Sequence, residues 1–264
     1  MKTFYFFILF LSSFTLFSQE NLSPDKFAFM IPDSICENPE CLALHIRSEY
    51  PENKDFVRAL YVWTTKNIYF SRKIVDSLKN EDLISYAFKT KTGKCKNYSA
   101  IITGLCNAVG IEAYSILGYV KINRKIETSK DHAWNIIKID DKFYLFDPTW
   151  DASSKENIDN STDFVFNYYM KDPDFFIKTH MPYDPMMQLS YYPIRHKDFF
   201  KNKTKGKKYF NYKNALKNYN LLNEKEQLRI LLTRAEGNGL TYKKLKFLRE
   251  RLIYFVQKQT SYIN

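Results

Sequence analysis

Apolar residues recur at helical spacing in two well-defined stretches. Between Asp55 and Lys66, Phe56, Leu60 and Trp63 fall on one face beside Val57 and Tyr61, which predicts an amphipathic helix. A longer stripe follows Gly93, where Tyr98, Ile101, Ile102, Leu105, Cys106 and Val109 repeat as on a helix buried along one side. Gly110 supplies its stop. Residues 67–70 read as a short extended piece and residues 80–89 as a weaker helix. The period then changes. "EAYSILGYVKI" alternates as a strand, and "HAWNIIKI" and "KFYLFD" are β-branched or aromatic runs joined through Asp140 and Asp141, a two-residue hairpin.

Elsewhere the pattern is weaker. Residues 20–54 read as an irregular lead-in broken by Pro24, Pro32 and Pro39. The proline-punctuated aromatic stretch 166–194 reads as a wrapping segment with little regular structure. Residues 212–236 and 241–258 are expected to form two tail helices separated by "GNG". At the other end, a basic residue, an apolar core from Phe4 to Leu11 and then small or polar residues have the form of a secretory signal peptide over residues 1–19. No later segment is apolar for long enough to cross a bilayer, so the expectation is an exported, soluble protein, periplasmic or secreted. The organisation expected is a 1–19 signal, a 20–54 lead-in, a 55–198 main domain and a 199–264 helical extension.

Charge separates the last two. The 264-residue chain carries a formal +11, but residues 199–264 hold sixteen Lys and Arg against four Glu, or +12, leaving −1 for the remainder. The basicity therefore belongs to the extension, which reads as an accessory offering its lysines to solvent, an anionic envelope or an acidic protein. No aromatic-basic motif of a nucleic-acid module accompanies it, so no nucleic acid is expected.

The four cysteines carry the chemical question. Cys36 and Cys41 flank "ENPE" and are expected to be disulfide-bonded or both exposed, apart from any chemistry. No C-x-x-C pair or histidine cluster implies a metal. Cys95 sits in the first turn of the clearest helix, where the helix N-terminus favours a thiolate and unpartnered N–H groups can receive an oxyanion. Pairing Ile139 with Lys142 across the hairpin sets His132 against Thr149 and makes Asp147 the diagonal, same-face neighbour of His132. Each residue alone has a plainer role: a structural thiol, a half-buried imidazole, a turn aspartate. Together they have the order nucleophile, base, orienting acid. Cys106 lies three turns further along the helix and is assigned to the core. His180 and His196, in the proline-rich stretch, read as structural.

The run "GKC" into "YSAIITGLCNAVGI", then "GYV" and "DHAWNIIKIDDKFYLFDPTW", resembles the transglutaminase-like superfamily over residues 55–150. The later "DPDFFIKTHMPYDPMMQLS" is similar to the segment after that domain in bacterial members related to the kyphoscoliosis peptidase. The resemblance implies an α+β, papain-like transglutaminase core, with a catalytic helix packed on an antiparallel sheet. It implies Cys95 as nucleophile, His132 as base, Asp147 as its orienter, and Trp63 and Tyr98 lining the cleft. No cofactor is implied. Lys94 and Lys96 depart from the glutamine and aromatic residue that flank the cysteine of animal transglutaminases, and no acidic calcium loop is present. The function expected is an exported thiol enzyme acting on protein or peptide amides through a thioester, passed to water or to a lysine amine. The alternative is a catalytically silent binding module on the same fold.

Overall fold

The computed structural model describes residues 22–32, 34–35, 37–71, 83–123, 125–153, 166–241, 243–246, 248–250 and 253. The expected signal peptide, Cys36 and the end of the second tail helix lie outside them.

The segment expected as an irregular lead-in has regular structure. The lead-in is helical, with α1 at Pro24–Met30 and α2 at Pro39–Glu49. Pro24 and Pro39 open these helices, at the one position where a missing N–H costs nothing. Ser23 caps the first helix, and Asn38 caps the second by accepting the N–H groups of Glu40 and Cys41. Reading every proline as a breaker hid both helices. They pack on α3 (Asn53–Asn67), whose apolar face is buried as its spacing predicts.

Helix α4 (Leu83–Thr90) leads to α5 (Cys95–Ala108) through a feature not foreseen. Strand β1 (Tyr69–Phe70) pairs in parallel with β2 (Thr92–Gly93), immediately before Cys95. The Gly93 carbonyl accepts the Ser71 N–H at 3.1 Å, which ties the entry of α5 to the end of α3. At the far end Gly110 adopts φ +79°, the left-handed conformation that ends the helix.

The main sheet runs β5–β4–β3–β6 and is antiparallel throughout. Its strands are β3 (Ala113–Ile122), β4 (Lys125–Ile139), β5 (Lys142–Phe146) and β6 (His180–Pro182). Ile139 pairs with Lys142, and Asp140 and Asp141 take φ of 49° and 61°, so the hairpin register is the one predicted. The β4 side chains divide cleanly by parity. Asn135, Ile137 and Ile139 meet α5 and the amino-terminal helices, while Trp134 and Ile136 join a second core with Leu145, Phe176 and Met186.

That second core comes from the segment expected to wrap without regular structure. After α6 (Pro148–Ser153) the described chain resumes along the β5 edge, where Leu145 bridges Lys171. It then forms α7 (Pro173–Phe176), adds β6 to the opposite edge and turns through a 3₁₀ stretch at Pro185–Gln188. Gly118 permits this closure. It pairs with both His132 and Pro182, and a Cβ there would stand 2.2 Å from the Met181 carbonyl oxygen.

The extension holds α8 (His196–Phe200), α9 (Tyr212–Tyr219) and α10 (Glu224–Gly237), so the first expected tail helix is broken at residues 220–223. It is also no mere accessory. Leu232, Ala235, Leu240, Leu245 and Leu248 are buried against Tyr119, Met181 and Tyr183 of the sheet edge. The boundary at residue 198 thus runs through a core.

Candidate active site

Three elements bring Cys95, His132 and Asp147 together, and the local sequence explains each placement. Cys95 is the first residue of α5 and is half-buried. Asn97 fastens that turn: its Oδ1 accepts the Lys94 N–H at 2.9 Å and its Nδ2 donates to the Leu83 carbonyl at 2.9 Å. Helix and strand are also stitched directly. Asn135 Nδ2 donates to the Ser99 carbonyl at 2.9 Å and to Thr103 Oγ1 at 2.8 Å, while Ser99 Oγ donates to the Trp134 carbonyl at 2.9 Å. These bonds hold α5 in register with β4 a few residues from His132.

Asp147 follows β5 and caps α6, accepting the N–H groups of Thr149 (3.0 Å) and Trp150 (3.1 Å) on Oδ1. Pro148 at the first helical position completes a start signal that is plain in "DPTW". With Oδ1 so engaged, Oδ2 receives His132 Nε2–H at 2.7 Å. The other imidazole nitrogen is free of Asp147, and Cys95 lies close enough to His132 to help raise its pKa.

Burial would lower the His132 pKa, but the Asp147 charge and hydrogen bond, with a smaller contribution from Cys95, raise it instead. Burial would likewise raise that of Asp147, yet His132 and His180 hold it below the usual carboxylate range. The arrangement therefore favours an imidazolium on a carboxylate, with Cys95 nearby.

His180 is the residue that sequence reasoning missed. Its Nε2 lies 3.0 Å from the same Asp147 Oδ2, so two imidazoles share one oxygen. Its place on the far edge strand, thirty-three residues from Asp147, leaves no local signal. Asp151 was missed as well. It accepts the Tyr61 hydroxyl at 2.7 Å and the N–H groups of Asn167 and Tyr168, and burial pushes its pKa up to about 6.

Other candidates are not brought here. Trp63 and Tyr98 are 1% and 0% exposed, and both belong to the amino-terminal core. Trp63 packs on Phe88 and the Tyr98 hydroxyl donates to the Ile68 carbonyl, so their stripe positions served packing and not a cleft. Cys106 is buried with its thiol pKa raised by burial, as expected of a core residue. Cys41 is free and exposed on α2. His196 is buried with Nδ1 2.6 Å from the Tyr119 hydroxyl, a structural role as expected. His132, Asp147 and His180 also form the one cluster of possible metal ligands among the described residues. Nε2 of each imidazole lies at hydrogen-bond distance from Oδ2 of Asp147.

Residues 41–148 match the model of the transglutaminase-like superfamily. The chain carries a transglutaminase-like domain. That domain takes in α2, ahead of the boundary expected at residue 55, and ends just after Asp147. The human kyphoscoliosis peptidase is 24% identical over 167 residues, 59% of this chain and 25% of that protein. The protein YebA of Bacillus subtilis is 24% identical over 147 residues, 50% of this chain and 20% of its own length. These matches span about a quarter or less of the curated relatives. The crystal structure of the periplasmic domain of TgpA from Pseudomonas aeruginosa is 18% identical, covering 50% of this chain and 49% of that one, with a TM-score of 0.39.

Proposed function

We propose that the protein is an exported thiol enzyme acting on amide bonds of proteins or peptides, with Cys95 as nucleophile, His132 as base and Asp147 as its orienter. The observation that carries this reading is the buried His132–Asp147 hydrogen bond at 2.7 Å, with Cys95 at the start of α5 close enough to raise the His132 pKa. His132 takes the thiol proton and the thiolate attacks the amide carbonyl carbon. The resulting oxyanion is received at the Cys95 backbone N–H in the first turn of α5. As the carbon–nitrogen bond breaks, the imidazolium passes its proton to the departing amine, leaving a thioester on Cys95. Water, deprotonated by His132, attacks the thioester to release the acid, and the sulfur recovers the proton. A lysine amine in place of water yields an isopeptide bond by the same steps. Hydrolysis is the form we favour.

Export rests on the signal-like residues 1–19. No helix among the described residues is long and apolar enough to span a membrane. Exposed lysines at 201, 203, 205, 207 and 208 offer an anionic envelope component or an acidic protein a docking face. A proteome-wide comparison of a substrate mixture treated with the protein and with Cys95→Ala tests the activity. New N-termini that require Cys95 are the expected result, whereas isopeptide-linked peptides would indicate transfer. Identical mixtures would favour the silent binding module.

A further inference from the structure

We infer that His180 is a positioning residue for this chemistry, its Nε2–H holding the Asp147 carboxylate ionised and aimed at His132. The inference rests on the reading of Cys95 as the nucleophile. Asp147 is 0% exposed, so its charge must be satisfied by protein donors alone. Four are present: the N–H groups of Thr149 and Trp150 on Oδ1, and the two imidazoles on Oδ2. The backbone pair fixes one oxygen. His180 is what grips the other besides the base itself.

The site is built to present that donor. Thr179 Oγ1 lies 2.8 Å from His180 Nδ1, and a hydroxyl donating there leaves the proton on Nε2, facing Asp147. Burial lowers the His180 pKa, which keeps the ring neutral. Rings of Phe176 and Trp150, each 4.5 Å away between centroids, and Trp134 at 5.1 Å fix its plane. A hydrocarbon ring would fill this aromatic cage equally well. The N–H on Asp147 is what it would not supply.

The titratable groups facing Asp147 are His132 of β4 with Cys95 beyond it, His180 of β6, Asp151 of α6, Tyr61 of α3, and Tyr168. Without the His180 N–H, burial drives Asp147 toward its neutral form and His132 loses its counter-charge. Cys95 then reacts more slowly, most of all on the acid side. Asp151, Tyr61 and Tyr168 are unchanged between variants, so their titration cancels in the comparison.

The test is the rate at which iodoacetamide alkylates Cys95, resolved by peptide mass spectrometry, in the full chain and in His180→Leu, His180→Gln and His180→Asn. Folding is checked by thermal denaturation. Glutamine carries an N–H where His180 has Nε2; asparagine is one carbon too short. Losing one hydrogen bond to a charged group should slow His180→Leu and His180→Asn about tenfold or more near pH ~5, with the gap closing toward pH ~8. His180→Gln should return to within about threefold of the parent. Should His180→Leu not fold, the glutamine and asparagine variants carry the same contrast. Folded variants that follow the parent profile, or a glutamine variant no better than asparagine, overturn the inference alone. A parent Cys95 no faster than glutathione overturns the thiol reading, and this inference with it.

Discussion

At the scale of single residues, the imidazoles show how one side chain serves opposite ends. His132 is drawn toward the charged form by Asp147, whereas His196 is pushed away from it by burial, to a pKa of about 4. Both are buried, so the difference lies in the partner: a carboxylate for one, the neutral Tyr119 hydroxyl for the other. A histidine that stays neutral in the fold but takes up a proton when unfolded loses stability as pH falls through that interval. Replacing His196 by glutamine should therefore flatten the acid side of the stability curve. Between about pH 6.5 and about pH 4, urea titrations should show the parent losing up to ~1.4 kcal/mol per pH unit more than His196→Gln. Parallel curves would mean His196 takes up its proton as readily in the fold as in the unfolded chain. Legibility at this scale was uneven. The places of Cys95, His132 and Asp147 in the fold could be read, because a helix start, a strand and a hairpin register locate them; their roles are part of the proposal. His180 could not, since its relation to Asp147 exists only after β6 has paired with β3.

At the scale of elements, α5 and β4 must hold a fixed offset for a thiol on one to meet an imidazole on the other. Hydrophobic packing alone tolerates sliding; directional bonds do not. Asn135 and Ser99 supply those bonds, buried at 0% exposure each. Asn135→Ala leaves the Thr103 hydroxyl and the Ser99 carbonyl without that donor, at a cost of about 1–3 kcal/mol in denaturant titrations. Cys95 alkylation should slow alongside. A variant that is fully stable and fully reactive would show the stitch to be dispensable. The helices and the hairpin were legible from periodicity and turn chemistry. The β1–β2 pair was not, because two-residue strands carry no period, and α1 and α2 were obscured by the prolines that begin them.

At the scale of the whole molecule, the basic extension is bound into the fold by more than its leucines. Asp184, 2% exposed, accepts a two-pronged contact from Arg234 of α10, at 2.9 Å from Nε and 2.6 Å from Nη2. Lys244 and the Tyr183 hydroxyl both reach Asp131, the residue before His132. Composition reported the surplus of lysine correctly but could not say which cations turn inward. Arg234→Ala would strand a buried carboxylate and should lower stability by about 3–5 kcal/mol. Truncation at residue 198 should yield insoluble protein, and a soluble fragment with a reactive Cys95 would restore the accessory view.

The central claim concerns one sulfur atom, and its reactivity can be read directly. The alkylation rate of Cys95 near pH ~6, where an ordinary thiol is almost wholly protonated, should exceed that of glutathione by about tenfold or more, since His132 receives the proton. In His132→Ala that advantage should vanish while Cys41, outside the site, labels as before. A Cys95 that reacts no faster than glutathione, or as fast without His132, would contradict the account.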